Sequence, residues 1–564
     1  MTDIRRTLLW VVFTMSLVLL WDGWNRHNGQ PSMFMPSPAR TAAAPASTPS
    51  GAAPAATVPA AQTGVPAATA AVPAGAAASA PPVAAAAPAG QQTVITTDRV
   101  KATVDSAGAS LVRLELLDHF DADDRKRHVL LFDRSAERVY AAQTGLITAQ
   151  PGVNLPNHWT PMTRVAGPDV LAQGRDELAV RFEATAPGGV TLAKTFTFKR
   201  GSYVVGVRHE VTNTGTTAVS PQLYLQLARD GNPARGESKW YFTFTGPAVY
   251  TEAKKYEKID FKDIEKGKTS HVTSAGDGWI AMVQHYFASA WLVATPSPRE
   301  FRTQKVSDNL YAVQMVLPLG EIAPGTSKTL DATLFAGPQE ENELATLAPG
   351  LELVKDYGWF TVLAKPLFWV LDNLHKAIGN WGWSIVALVV LLKIAFYWLN
   401  ASAYRSMGKM KKLAPRLTDL RERYKDKPQL MQQEMMRIYR EEKVNPLGGC
   451  LPILAQMPFF IALYWVLLSS VEMRNAPWIG WIADLSAPDP WFVLPLLMLA
   501  SSLLQVWLQP APADPTQAKM MWIMPIMFGF MFFFFPAGLV LYWLTNNLLS
   551  IAQQWWINKR LGVN

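Results

Sequence analysis

The stretch Trp383-Ser-Ile-Val-Ala-Leu-Val-Val-Leu-Leu-Lys-Ile-Ala-Phe-Tyr-Trp-Leu-Asn-Ala-Ser-Ala-Tyr404 decides the fold class, since it has the length and composition of a membrane span. An α-helix needs about 20 apolar residues to cross the hydrocarbon core of a bilayer. Lys393 carries the one charge of this stretch and lies near its middle. A charge at that depth costs at least ~2.5 kcal/mol on insertion scales, so the ammonium is expected to face water or a partner.

Further apolar stretches on both sides of this one predict a polytopic membrane protein. At the N-terminus, Arg5 and Arg6 precede an apolar run that ends in Trp21-Asp22-Gly23-Trp24, where a signal peptide would have small residues. An uncleaved anchor is therefore favoured over a cleaved signal peptide. The six predicted spans are the anchor within 1–25, 383–404, 450–469, 491–509, 520–535 and 537–556.

The distribution of charge predicts the orientation of these spans. The chain has 52 basic and 44 acidic residues, a net charge of +8, and 17% charged residues against about 25% in a typical soluble protein. Residues 404–447 hold 12 Lys or Arg against 6 acids, whereas 470–490 hold one basic residue, Arg474. By the positive-inside rule, we expect a multi-pass protein of the cell inner membrane with both termini cytoplasmic and residues 26–380 periplasmic.

The segment between the first two spans divides into a linker and a β domain. Residues 41–90 contain 24 Ala and 9 Pro and no charge, a composition typical of a linker. From residue 91 the pattern alternates between apolar and polar residues, as in 190–198 and 203–211, with turn residues between. Strands without intervening helices predict an antiparallel sandwich. Its 28 basic and 27 acidic residues between Gln91 and Glu340 do not indicate a nucleic-acid-binding surface.

Polar side chains near the cytoplasmic ends of the spans form the candidate site. At helical spacing Lys393, Tyr397 and Asn400 share one face. Together they suggest a wet cavity open to the cytoplasm; alternatively, Lys393 pairs with a carboxylate and each other group makes an ordinary interhelical hydrogen bond. The further polar residues assigned to this cavity are Gln456, Gln505, Asn546, Asn547 and Ser550.

Residues 405–447 are predicted to form a cytoplasmic helical hairpin, with helices at 402–425 and 428–442. Their apolar residues recur at helical spacing, so the two faces should pack on each other or on the bilayer. The excess of basic residues is either a topology signal alone or a contact surface for lipid headgroups, ribosomal RNA or an emerging chain. The candidate contact residues are Arg405, Lys409, Lys411, Lys412, Arg416, Arg421 and Arg423.

The sequence thus predicts an ordered set of segments, with an amphipathic helix on the bilayer surface before the second span. No nucleotide, metal or nucleophile motif is convincing, and the lone Cys450 cannot form an internal disulfide. We therefore expect no enzymatic activity, cofactor or metal. The predicted segments are an anchor (1–25), a linker (26–90), a β-sandwich (91–345), an interfacial helix (346–380), span 2 (381–404), the hairpin (405–447), spans 3–6 (448–558) and a tail (559–564).

Four motifs stand out in the C-terminal half. They are Glu442-Lys-Val-Asn-Pro-Leu-Gly-Gly-Cys450, Gln456-Met-Pro-Phe-Phe460, Asp484-Leu-Ser-Ala-Pro-Asp-Pro490 and Phe535-Pro-Ala-Gly-Leu-Val-Leu-Tyr-Trp543. They resemble motifs of the YidC family of bacterial inner-membrane protein insertases, over about 384–556. The order of anchor, linker and β domain resembles the Gram-negative form of that family.

The resemblance implies a fold and a site. The fold is a polytopic α-helical membrane protein of six spans, with a five-span insertase core and a periplasmic all-β supersandwich domain. The site is a hydrophilic groove open to the cytoplasm and to lipid, in which Lys393 occupies the place of the family's arginine and Trp543 contacts the substrate helix. Lysine keeps the positive charge but lacks the planar donor fork of arginine.

The resemblance also implies partners. They are nascent inner-membrane proteins, the Sec translocon, membrane lipids and the ribosome, the last weakly through the hairpin and the short tail. Insertion would proceed alone or with the Sec translocon, without nucleotide hydrolysis. An anchored periplasmic carbohydrate-active or binding protein, or a small-solute transporter, remains as the alternative.

Overall fold

The structure is a computed structural model that describes residues 90–560 apart from 122–123, 236, 238–242, 425–426, 443–450 and 510–514. The predicted anchor, the linker before residue 90 and the last four residues of the tail lie outside the described residues. Within them, the chain forms a β domain followed by a bundle of helices.

The β domain is built from two nine-stranded antiparallel sheets, as the alternating sequence pattern predicts. One sheet has the strand order β1-β2-β3-β4-β5-β10-β17-β16-β13 and the other β12-β11-β14-β15-β18-β9-β8-β7-β6. The strands are β1 Gln92–Thr96, β2 Val100–Asp105, β3 Ser110–Phe120, β4 His128–Arg134, β5 Val139–Ile147, β6 Thr163–Arg164, β7 Glu177–Thr185, β8 Val190–Lys199, β9 Val204–Asn213, β10 Gln222–Asp230, β11 Gly246–Thr251, β12 Lys255–Lys258, β13 Ser274–Ala275, β14 Trp279–Gln284, β15 Phe287–Leu292, β16 Arg299–Ser307, β17 Leu310–Pro318 and β18 Ser327–Pro338.

A buried polar pair lies inside this sandwich. Lys194 on β8 and His209 on β9 are directly opposite in the strand register, and neither side chain is exposed. The Lys194 ammonium donates to the backbone carbonyls of Gly108 and Thr144, and the Thr144 hydroxyl lies 3.0 Å from Nε2 of His209. Burial lowers the pKa of Lys194 to about 7. Burial, with the nearby Lys194 charge, lowers the pKa of His209 to about 3.

These buried bases make the stability of the domain depend on pH. Burial also lowers the pKa of His158 to about 3, so both histidines bind protons more weakly in the folded chain than at their ordinary pKa of 6.5. The unfolded chain therefore takes up more protons between pH 6.5 and 3, and the free energy of unfolding falls as the pH falls through that window. The slope is about 1.4 kcal/mol per pH unit for each histidine.

The measurement is denaturant unfolding of the detergent-solubilised full chain at pH 7.5 and pH 4.5. Carboxylates titrate in the same range, so the slope of the wild type is compared with that of His209→Gln, which lacks one of the two groups. The variant is expected to lose less stability on acidification, and an unchanged difference between the two pH values would contradict a buried neutral His209.

Ten α-helices are found in the described residues, two of them short and within or directly after the β domain. The Gly379 residue, at φ +75°, ends the third helix, and the side chain of Asn380 begins the fourth by accepting a hydrogen bond from the Trp383 N–H at 3.1 Å. The helices are α1 Phe261–Glu265, α2 Glu341–Leu347, α3 Thr361–Ile378, α4 Trp381–Ala395, α5 Tyr397–Arg423, α6 Pro428–Glu441, α7 Leu451–Ser469, α8 Val493–Leu508, α9 Pro515–Met531 and α10 Ala537–Arg560.

The segment predicted as the span 383–404 is divided between two helices, α4 and α5, rather than forming one straight helix. Phe396 leaves the helical conformation (φ −92°, ψ 11°), its ring packs edge-on against Phe459, and the chain bends by 69° between α4 and α5. Helix α5 then continues into the segment predicted as the hairpin. Together the two helices have the length and apolar composition needed to cross a membrane, whereas none of the described helices is long and apolar enough alone. The shorter apolar helices are Gln456–Ser469, Val493–Leu508 and Ala518–Phe534.

A buried ion pair joins the exit of the β domain to the helices. The Lys355 ammonium donates to both carboxylate oxygens of Glu472, at 2.8 and 3.0 Å, and its side chain is fully buried. The same ammonium lies 3.7 Å from the ring centroid of Phe368 on α3. Since Glu472 lies in the turn directly after α7, this contact connects α3, α7 and the end of the β domain.

Three further contacts seat the β domain on the end of α7 and on the loop that follows it. Arg125 pairs with Asp484 at 3.2 Å, and the Arg474 guanidinium donates to the backbone carbonyl of Phe120. Nε2 of His285 lies 3.0 Å from the carbonyl of Leu468. The β domain is thus held against the helices by polar contacts at separate points.

Candidate functional site

The centre of the candidate site is the contact between Lys393 on α4 and Ser550 on α10. Lys393 Nζ donates to Ser550 Oγ at 2.7 Å, and Ser550 Oγ donates to the backbone carbonyl of Asn546 at 2.7 Å. In the described part of the chain, no carboxylate forms an ion pair with Lys393. The alternative of a lysine paired with a carboxylate therefore finds no support among these residues.

The remaining polar residues of α10 are divided between two faces. Asn547 donates to the hydroxyls of Ser501 and Ser502 on α8, at 3.2 and 2.9 Å. Gln553 reaches the backbone carbonyl of Tyr397 at 3.5 Å. Asn547 thus makes an ordinary interhelical hydrogen bond, the alternative given above for these polar residues. Tyr397 contacts the site through its backbone carbonyl rather than through its side chain.

Two of the predicted site residues carry polar atoms without a hydrogen-bond partner in the described structure. Asn400 Nδ2 and Trp543 Nε1 are both buried and unpaired there. Such donors are costly unless water or a ligand satisfies them. They could donate to an acceptor that enters between the helices.

Trp543 lies in an aromatic cluster. Its ring centroid is 4.7 Å from that of Phe532 and 6.4 Å from that of Phe460. Phe460 and Phe532 were not among the predicted site residues. The Met457-Pro-Phe-Phe460 motif and the run of four phenylalanines at 532–535 were the signals that could have indicated them.

Gln505 is separated from the lysine and lines an open cavity of about 510 Å³ between α8 and α9. Three methionines of α9, Met520, Met521 and Met524, line the same cavity together with residues of α8. Gln456 on α7 is half-buried, and the contact that would place it beside Lys393 is not seen among the described residues. The structure therefore brings Lys393, Ser550 and the Asn546 carbonyl together and leaves Gln505 at a different surface.

Helices α5 and α6 form a hairpin in which their apolar faces pack on each other. Leu413, Leu417 and Tyr439 are the buried residues of this contact. Arg416 pairs with Glu442 at 2.9 Å across the hairpin. The predicted contact residues whose exposure the structure describes are all exposed: Arg405, Lys409, Lys412, Arg416 and Arg423. The side chains of Lys411 and Arg421 lie outside the described set.

Two family models together cover most of the chain. The YidC periplasmic domain matches residues 92–370, and the 60Kd inner membrane protein family matches residues 373–563. A membrane protein insertase YidC of Cupriavidus necator is 57% identical over 99% of this chain and 98% of its own length. The chain belongs to the YidC family of membrane protein insertases.

Other YidC relatives match over a similar length. The protein from Ralstonia nicotianae is 56% identical over 100% of this chain and 99% of its own. A crystal structure of an active YidC insertase with the first transmembrane domain resolved is 20% identical, with a TM-score of 0.38 over 82% of this chain and 91% of that one. Membership of the YidC family assigns the chain to the inner membrane, with its all-β sandwich in the periplasm.

Proposed function

We propose that this chain inserts inner-membrane proteins and helps them fold, alone or with the Sec translocon, through a hydrophilic groove open to the cytoplasm and to lipid. One observation carries the proposal: Lys393 is held inside the helix bundle by an uncharged hydroxyl, so its positive charge is not neutralised by any described carboxylate. A charge that is costly to place in a membrane and left uncompensated there is suited to attracting an anionic substrate group.

The mechanism follows from solvation. A polar substrate tail that enters a hydrated groove keeps hydrogen-bond partners while it crosses part of the bilayer, which lowers the barrier to translocation. Lys393 attracts acidic groups of that tail, and Trp543 contacts the apolar segment. The segment then moves sideways into lipid, driven by apolar burial of about 25 cal/mol per Å². No step requires nucleotide hydrolysis, a cofactor or enzymatic catalysis.

The proposed topology has six spans, with both termini in the cytoplasm and residues 26–380 in the periplasm. Helix α3 lies on the periplasmic surface of the bilayer; the strong exposure of Val362 and Trp369 supports this placement. The exposed basic face of the hairpin contacts lipid headgroups and, weakly, the ribosome. Nascent inner-membrane proteins are the substrates.

Site-specific crosslinking to a stalled nascent membrane protein tests the groove. A photo-reactive residue at position 543 is expected to crosslink to the apolar segment of a ribosome-bound single-span substrate, whereas the same residue at Trp369 on α3 is the matched aromatic control and should give several-fold less product. A probe at Lys409 reports contact of the hairpin with the ribosome. Equal yields from positions 543 and 369 would argue against a substrate groove at Trp543.

A further inference from the structure

The hydroxyl of Ser550 acts as the hydrogen-bond acceptor in its contact with Lys393. The side chain of Ser550 is 3% exposed, and its one hydrogen points to the Asn546 carbonyl at 2.7 Å. A hydroxyl that has donated its only hydrogen offers lone pairs alone. Ser550 Oγ therefore receives one N–H of the Lys393 ammonium at 2.7 Å and cannot act as its donor.

We infer that Ser550 is a positioning residue, which holds the Lys393 ammonium so that its remaining N–H groups are directed at a substrate carboxylate. The inference rests on the proposed function. An ammonium has three donors, and Ser550 uses one of them. The other two have no partner among the described residues. They are available to the oxygens of an acidic tail.

The uncharged nature of this acceptor matters as much as its position. A carboxylate at position 550 would hold the lysine equally well but would cancel its charge, and the attraction for an acidic tail would fall. The serine hydroxyl fixes the ammonium and leaves its charge in place. The lysine side chain has a flexible four-carbon stem, so fixing it in advance reduces the ordering needed when the substrate arrives.

The test uses the purified full-length chain in lipid vesicles and two versions of one single-span substrate, with an acidic or a neutral translocated tail. Ser550→Ala is expected to lower insertion of the acidic-tail substrate about fivefold, the effect of losing a single hydrogen bond, and insertion of the neutral-tail substrate less than about twofold. Ser550→Thr keeps the hydroxyl and should restore most of the activity.

Ser384→Ala is the matched control. Ser384 is fully buried on α4 and donates to the carbonyl of Asn380, four residues earlier, at 2.8 Å, but it has no lysine partner. Its replacement should affect both substrates equally and weakly. Adding Ser550→Ala to Lys393→Ala should cause no further loss, since the group that Ser550 positions is already absent.

Two outcomes would overturn the inference. Ser550→Ala could lower insertion of both substrates to the same extent, which would indicate a structural role, or it could add its full effect in the absence of Lys393. The proposed function is tested separately, because it fails if Lys393→Ala itself leaves acidic-tail insertion unchanged. A strong effect of Lys393→Ala with no effect of Ser550→Ala would reject only the positioning role.

Discussion

Replacing Lys393 by alanine is expected to lower insertion of substrates with short acidic tails by about tenfold or more, the effect of removing an attraction of roughly 1.4 kcal/mol. Lys393→Arg should retain most of the activity, because arginine keeps the charge and can still donate to the Ser550 hydroxyl. Lys393→Met removes the charge while preserving much of the apolar stem, and it should behave like the alanine variant. Insertion is measured by protease protection in a strain depleted of the native insertase.

These variants are expected to fold. Ser550 still donates to the Asn546 carbonyl when Lys393 is absent, so its hydrogen keeps a partner. Loss of activity should therefore appear without loss of expression. A substrate with a neutral tail is the internal control, and equal losses for both tails would contradict a role of the lysine charge in receiving the tail.

Glu472→Ala is expected to have the largest effect on stability. It leaves the Lys355 ammonium, whose side chain is fully buried, without the carboxylate that accepts two hydrogen bonds from it. Breaking a buried pair in this way costs about 3–5 kcal/mol. The midpoint of thermal unfolding of the detergent-solubilised chain, followed by tryptophan fluorescence, should fall by on the order of 10 °C.

An exposed ion pair within the β domain provides the comparison. Arg208 and Asp331 pair at 2.8 Å across β9 and β18, and more than half of each side chain is exposed. Asp331→Ala should leave the unfolding midpoint nearly unchanged, because solvent screens an exposed pair. Similar midpoints for the Glu472 and Asp331 variants would show that burial does not make the Lys355 pair special.

Short-range sequence patterns predicted the elements of this fold. The alternation in β8 and β9 follows from the two-residue period of a strand. Apolar composition predicted the ends of helices α7, α8 and α10 to within a few residues. The same alternation placed Lys194 on the inward face of β8, in step with Leu192 and Phe196, and could have revealed the buried lysine. That His209 lies opposite Lys194 depends on the register between β8 and β9, which the alternation constrains.

The parts that could not be predicted depend on contacts between distant residues. No Gly or Pro lies next to Phe396 to indicate a bend there. The contact between the Phe396 and Phe459 rings forms only when α7 packs against this part of the chain. Lys393 and Ser550 are 157 residues apart in sequence, so a shared membrane depth suggested their proximity but not their hydrogen bond. The rotation of α8 about its own axis directs Gln505 toward α9. The depth of a residue in the membrane does not determine that rotation, so depth alone could not predict this.

The seating of the β domain on the loop after α7 bears on how this protein can be recombined with its relatives. The two matched family regions meet between residues 370 and 373, inside α3, yet Arg125–Asp484 and Lys355–Glu472 join residues on either side of that boundary. A chimaera joined there would pair a transplanted β domain with a foreign loop. The unit to exchange is the β domain together with α3 and the loop after α7, which are adjacent in space though separated along the chain.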